Sequence, residues 1–214
     1  MPNPTLAKLQ QQLREKFPTA RHGLSPTASD ARRPDFDLRN PDPFPRGGIT
    51  EIVPTHPAAG LSLVVASIMA HESAHTPVPE LALIDGRDQF DPASFSAEDC
   101  SKLLWLRCQT PEQAIRAADL ILRDGNLPRV VLDLFAFSSS ELGKIPNSSW
   151  HRIKQSIELN NSSLIALTPR ALIPCALIRL SLSSHFALDQ LSSTRPELIE
   201  QLQTIPVLLR KCAQ

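Results

Sequence analysis

Arg46-Gly47-Gly48-Ile49-Thr50-Glu51-Ile52-Val53-Pro54-Thr55-His56-Pro57-Ala58-Ala59-Gly60-Leu61-Ser62-Leu63 is the stretch whose reading decides the fold. Residues 49–53 carry the β-branched and apolar side chains of a buried strand, and residues 60–75 form a strongly apolar helix. The small residues between them make a strand–loop–helix unit, the arrangement in which backbone N–H groups and a helix N-terminus cradle phosphates. A working loop of this kind needs GxxxxGK[ST], with the lysine on the terminal phosphates and the hydroxyl on magnesium. Here Leu61 stands in the lysine position, Pro54 replaces the first glycine, and the loop counts one residue long. Pro57 removes one of the N–H donors such a loop uses. Gly60 and Ser62 remain, so Gly60, Leu61 and Ser62 form a degenerate nucleotide loop.

Working outward, continuous apolar runs at 81–85, 103–107, 130–134, 164–167 and 176–182 read as strands covered on both faces, the signature of a parallel sheet flanked by helices. Thr110-Pro111-Glu112-Gln113 is a capping box that opens a helix through Leu122, closed by Gly125. Residues 149–159 form another helix. Thr194 and Glu197 start a last one at 196–204, ended by Pro206. The fold class is α/β, a mainly parallel sheet between helices. Before it, Leu6, Leu9, Leu13 and Phe17 recur at helical spacing, giving an amphipathic N-terminal helix within 1–17 and a Pro-rich linker over 18–45. The core spans 46–182 and a helical tail 183–214.

The chain has 214 residues, 42% apolar and 21% charged, enough for one domain with a sizeable core. Lys+Arg and Asp+Glu stand at 22 each, so no net charge draws the whole molecule onto nucleic acid or an anionic membrane. Twenty prolines against 7 glycines place stiff connections between elements. The 4 cysteines have no CxxC spacing, so neither a zinc knuckle nor a redox pair is encoded. With no signal peptide and no membrane-length apolar run, a soluble cytoplasmic protein is expected. His71-Glu72-Ser73-Ala74-His75 matches HExxH, but its helix stops at Thr76-Pro77 and no third ligand is marked, so no metal site is expected. The other histidines lack a nucleophile setting. Asp85, Asp88 and Asp91 lack EF-hand spacing and read as turn carboxylates. Trp105 reads as a sheet-core residue, while Trp150 is open between core and surface.

In order, Pro45-Arg46-Gly47-Gly48-Ile49-Thr50-Glu51-Ile52, the Gly60 loop, Leu83-Ile84-Asp85-Gly86-Arg87-Asp88-Gln89-Phe90-Asp91-Pro92, Leu103-Leu104-Trp105-Leu106-Arg107, Glu112-Gln113-Ala114 and Arg129-Val130-Val131-Leu132-Asp133-Leu134 resemble the RecA core. Within that superfamily they are most similar to the ImuA-type accessory proteins of mutagenic translesion synthesis. The resemblance runs to about Leu182. It implies that Asp133 is the retained strand-end carboxylate that supports magnesium in the ATPases. It also puts Arg87 at the catalytic glutamate, Ser94 at the adenine-stacking aromatic and Thr168 at the phosphate-sensing glutamine. A pseudo-ATPase without cofactor is the resulting expectation. Residues 137–149 and 169–175 correspond to the DNA-binding loops, with Lys144, Arg152, Lys154, Arg170 and Arg179 as candidate contacts to single-stranded DNA.

The same resemblance implies partners: an inactive Y-family-like polymerase homologue, an error-prone replicative polymerase subunit, and RecA. The leucine face of the N-terminal helix is a candidate homo-oligomer or partner contact. So is the tail stripe Leu198, Leu202, Leu208 and Leu209, for which packing on the chain's own core is the equal alternative. Two other readings stand beside this one: a nucleotide-dependent RecA-type DNA-binding ATPase, and a SulA-type cell-division inhibitor.

Overall fold

The structure, a computed structural model, describes residues 43–73 and 80–209. The expected N-terminal helix with Leu6, Leu9, Leu13 and Phe17, most of the expected 18–45 linker, and His75 lie outside the described residues. The elements in chain order are β1 (Gly48–Pro54), α1 (Leu61–Ser73), β2 (Leu81–Gly86), a 3-10 turn (Pro92–Ser94), α2 (Ala97–Ser101), β3 (Leu103–Cys108), α3 (Pro111–Asp124) and β4 (Arg129–Asp133). There follow α4 (Ser139–Leu142), α5 (Asn147–Asn160), β5 (Ser163–Leu167), β6 (Ile178–Leu182), a second 3-10 turn (Gln190–Ser192), α6 (Arg195–Glu200) and β7 (Thr204–Leu209). They build one seven-stranded sheet in the order β3-β2-β4-β5-β1-β6-β7. Every neighbouring pair is parallel except β6 with β7.

Alternate residues of each strand feed opposite faces, which is why the strand sequences are apolar throughout. On one face Ala82, Ile84, Val130, Leu132 and Leu164 pack under α3 and α5, which contribute Ala114, Ala118, Leu122, Ile153 and Ile157. On the other, Leu81, Leu83, Val131, Ile165 and Leu180 pack under Val64, Val65, Ile68 and Met69 of α1. Trp150 is 1% exposed and belongs to the first of these cores.

Local chemistry sets the helix ends. Thr110 Oγ1 accepts from the Gln113 N–H while the Gln113 side chain accepts from the Thr110 N–H, and Gly125 closes α3 at φ 76. Asn161 closes α5 in the same left-handed region at φ 49. The expected helix at 196–204 ends at Glu200, and the chain then returns as β7, so the tail completes the sheet. Pro206 is compatible with that because β7 is an edge strand, and the pairing carries an irregularity between Arg179 and Leu180, opposite the proline. Ile205 and Val207 remain exposed on β7.

Candidate functional site

The carboxyl ends of β1, β2 and β4 lie together on one edge of the sheet, where open α/β sheets place their ligands. The loop after β1 is anchored to β6, with the Thr55 N–H and Oγ1 both donating to the Leu182 carbonyl. It then turns through Gly60 at φ 95, whose carbonyl accepts from the N–H groups of Leu63 and Val64 as α1 begins. A Cβ on Gly60 would stand 3.0 Å from Leu202 Cδ2 and 3.0 Å from Phe186 Cε2. The His56 and His185 rings stack beside this contact at 4.4 Å. The tail therefore roofs the loop. Leu198 lines the cavity and Leu202 packs against the core. Leu208 is half-buried on β7, in register with Arg179; nothing is described of the Leu209 side chain.

At the end of β2, Asp85 is 1% exposed and accepts from the N–H groups of Gln89 and Phe90 and from Trp105 Nε1. Trp105 is half-buried on the edge strand β3, packed against the second core, tied to Asp85 and edge-on to Phe90. The turn after Asp85 is tight. Gly86 has no room for a Cβ, which would fall on the Asp133 carbonyl, and Arg87 and Asp88 take left-handed φ values of 65 and 55. Arg87 pairs with Glu141 at 2.5 Å, its guanidinium over the Phe137 ring. Asp88 bonds Arg107, whose guanidinium holds the carboxyl below its usual range. Asp91 caps the 3-10 turn through the Ala93 N–H and Ser94 Oγ.

Asp133, paired in register with Asp85, accepts from the Phe135 N–H through Oδ1. Burial pushes its carboxyl up to about 6 against the pull of that N–H, with repulsion from Asp85 adding to the rise. Below these carboxylates lies a cavity of about 510 Å³ lined by Leu61, Val65, Leu83, Phe90, Phe95, Phe135, Phe186 and Leu198, with Ser62 and Ser94 among its polar groups. Arg195 is the sole Lys or Arg on its wall among the described residues, and its guanidinium already donates to the Ser94 carbonyl and lies 4.3 Å over Phe95.

Thr168 is wholly buried, donating to Glu51 Oε1 at 3.1 Å, and does not line the cavity. Glu51 is the polar hub that sequence reasoning passed over. Its Oε1 also accepts from the N–H groups of Leu172 and Ile173, and its Oε2 accepts from Arg179 Nε at 2.6 Å. The 169–175 segment is thereby pinned to the sheet, with Ile173 fully buried. The signal was a carboxylate inside an otherwise uncharged strand.

Of the five candidate DNA contacts, Arg179 is committed to Glu51 and to the Ile173 carbonyl. Arg152 bonds Asp119 on α3 while Lys154, two positions on, pairs with Glu158 along α5. Lys144 and Arg170 are exposed and make no ion pair among the described residues. His71 Nδ1 lies 2.8 Å from the Ser67 carbonyl one turn back, and no cluster of three metal-ligating side chains occurs among the described residues. No helix among them is long and apolar enough to cross a membrane.

The residues present do not fit a magnesium–nucleoside triphosphate. An aliphatic side chain stands at the lysine position, the one wall arginine is engaged, and three carboxylates, Asp85, Asp91 and Asp133, face the space. No family model matches the chain and no curated protein matches it. Among solved structures, that of the RadB recombinase superposes with a TM-score of 0.51 at 13% identity, over 67% of this chain and 78% of that one. The fold is RecA-like.

Proposed function

We propose that this chain is a non-catalytic RecA-like accessory protein that acts by contact in the DNA damage response, in the manner of the ImuA-type factors of mutagenic translesion synthesis. The observation that carries the reading is the roofed, cation-poor nucleotide loop: Leu61 replaces the lysine, and Phe186 and Leu202 lie against Gly60. Anion binding by a loop of this kind needs free N–H groups and a positive charge, and both are curtailed here. The absence of a base at Arg87 removes the group that would activate water. The ordered series of motifs from Pro45 to Leu134 supports the ImuA-type assignment, and the RecA-like fold supports the superfamily. Partner contact then falls to a Y-family-like polymerase homologue and an error-prone replicative polymerase subunit, with RecA and single-stranded DNA as further partners.

Calorimetric titration of magnesium-ATP into the full chain is expected to give no binding heat. Capture from damage-induced cells is expected to retain the two polymerase-related partners. Tight ATP binding would instead make the chain a nucleotide-dependent recombinase, and retention of the division GTPase in place of the polymerase partners would make it a SulA-type inhibitor.

A further inference from the structure

The same cavity, on the reading that it no longer takes a triphosphate, has a chemistry of its own. Its volume of about 510 Å³ falls within the roughly 300–1,000 Å³ of small-molecule sites. Aromatic rings from three separate segments, Phe90 and Phe95, Phe135, and Phe186, wall it. The acidic groups on that wall are not equivalent. Asp85 receives three donors and Asp91 receives two, so both are engaged by their own turns. Asp133 receives one, the Phe135 N–H on Oδ1, and among the described residues no donor reaches Oδ2. An apolar, ring-walled space with a single under-used carboxylate oxygen on its wall favours a cation and disfavours an anion. Arg195 already shows the mode at the cavity wall, its guanidinium lying over the Phe95 ring.

We propose that the former nucleotide cavity is a binding site for an organic cation, an amidinium, guanidinium or ammonium head on a flat or aliphatic body, with Asp133 as its counter-ion and the phenylalanine rings as its walls. The head bonds Oδ2 of Asp133 and the body lies among the rings. Such a group arrives either as a free small molecule or as an arginine or lysine side chain of a partner, and the recognition chemistry is shared.

The test is calorimetric titration of the full-length chain with benzamidine, its neutral isostere benzamide and the anion benzoate, followed by the same series on Asp133→Asn. Benzamidine is expected to bind at least about tenfold more tightly than benzamide, the increment of a charge-assisted bond in a half-buried site. Benzoate is expected not to bind. In Asp133→Asn the preference of benzamidine over benzamide is expected to fall to about one, while circular dichroism shows the fold retained. Equal binding of benzamidine and benzamide by the wild-type chain, no binding of either by a folded chain, or a preference that survives in Asp133→Asn overturns the proposal. A short peptide carrying one arginine, run against its citrulline counterpart, separates the sources: discrimination assigns the site to a partner side chain, and benzamidine binding without it assigns a free small molecule. A failed benzamidine series leaves the proposed function standing, since the ATP titration and the partner capture are what test that.

Discussion

Asp133 sits where two opposing effects meet: withdrawal from water and the neighbouring Asp85 disfavour its charge, while the Phe135 N–H favours it. With the folded carboxyl near 6 against a reference of 3.8, ionisation is harder in the folded state than in the unfolded chain. The unfolded chain therefore loses its proton first. For this group stability is greatest below the unfolded value and falls as pH rises from about 4 to about 6, staying low above that. Asparagine keeps the acceptor for the Phe135 N–H and removes the charge. Asp133→Asn is thus expected to be more stable than the wild type by on the order of 2 kcal/mol at neutral pH, with the difference shrinking toward zero near about pH 4. Urea midpoints of both proteins measured across that range check it. A gap that does not change with pH would mean the carboxyl carries no such penalty. The residue was legible in the sequence as a strand-end carboxylate, but its neighbour was not, because the β2–β4 register that aligns Asp85 with Asp133 exists only once the sheet is assembled.

Among the elements, the 169–175 segment shows how a loop named by its place between two strands acquires its own physics. It joins β5 to β6, where the resemblance places a DNA-binding loop. Glu51 of β1 reaches across to take the Leu172 and Ile173 N–H groups, and Arg179 of β6 neutralises it. The partners are 117 to 128 positions apart, which no local pattern encodes. What local pattern does encode, it encoded well: capping boxes and a left-handed Gly125 at the ends of α3, and apolar strands that alternate faces. β7 escaped because Pro206 reads as a helix stop, and only its location at the sheet edge makes a proline strand sustainable. A fully buried carboxylate that loses its cation is costly, whereas removing both charges is far less so. Arg179→Met is therefore expected to destabilise the protein by about 3–5 kcal/mol and to speed amide exchange at Leu172 and Ile173. Glu51→Gln combined with Arg179→Met is expected to recover a large part of that loss. If the double variant proved as unstable as the single one, the pair would owe its worth to shape and not to charge.

For the whole molecule, the nucleotide-type edge of the sheet has been enclosed from two ends of the sequence. The loop after β1 carries Leu61 where a phosphate-binding loop needs a lysine, a feature visible in the chain itself. The roof was not visible, since Phe186 and Leu202 lie more than a hundred positions beyond Gly60 and sit in a stretch whose helical pattern suggested a separate tail. On the proposed reading the departures from a nucleotide site are distributed, so restoring one group is not expected to confer nucleotide binding. Leu61→Lys puts an ammonium at the start of α1 but leaves Pro57 without an N–H and the tail against Gly60. It also removes a side chain that is only 9% exposed, at an expected loss of about 2–3 kcal/mol. A ligand that binds only the folded state raises the melting temperature by mass action. In thermal melts with millimolar magnesium-ATP, Leu61→Lys is expected to melt below the wild type and to shift by less than about 1 °C on adding nucleotide, where binding at 100 times Kd would stabilise by about 2.7 kcal/mol. A nucleotide-dependent rise of several degrees would show that the roof yields to a triphosphate and that the single lysine was the whole of the loss.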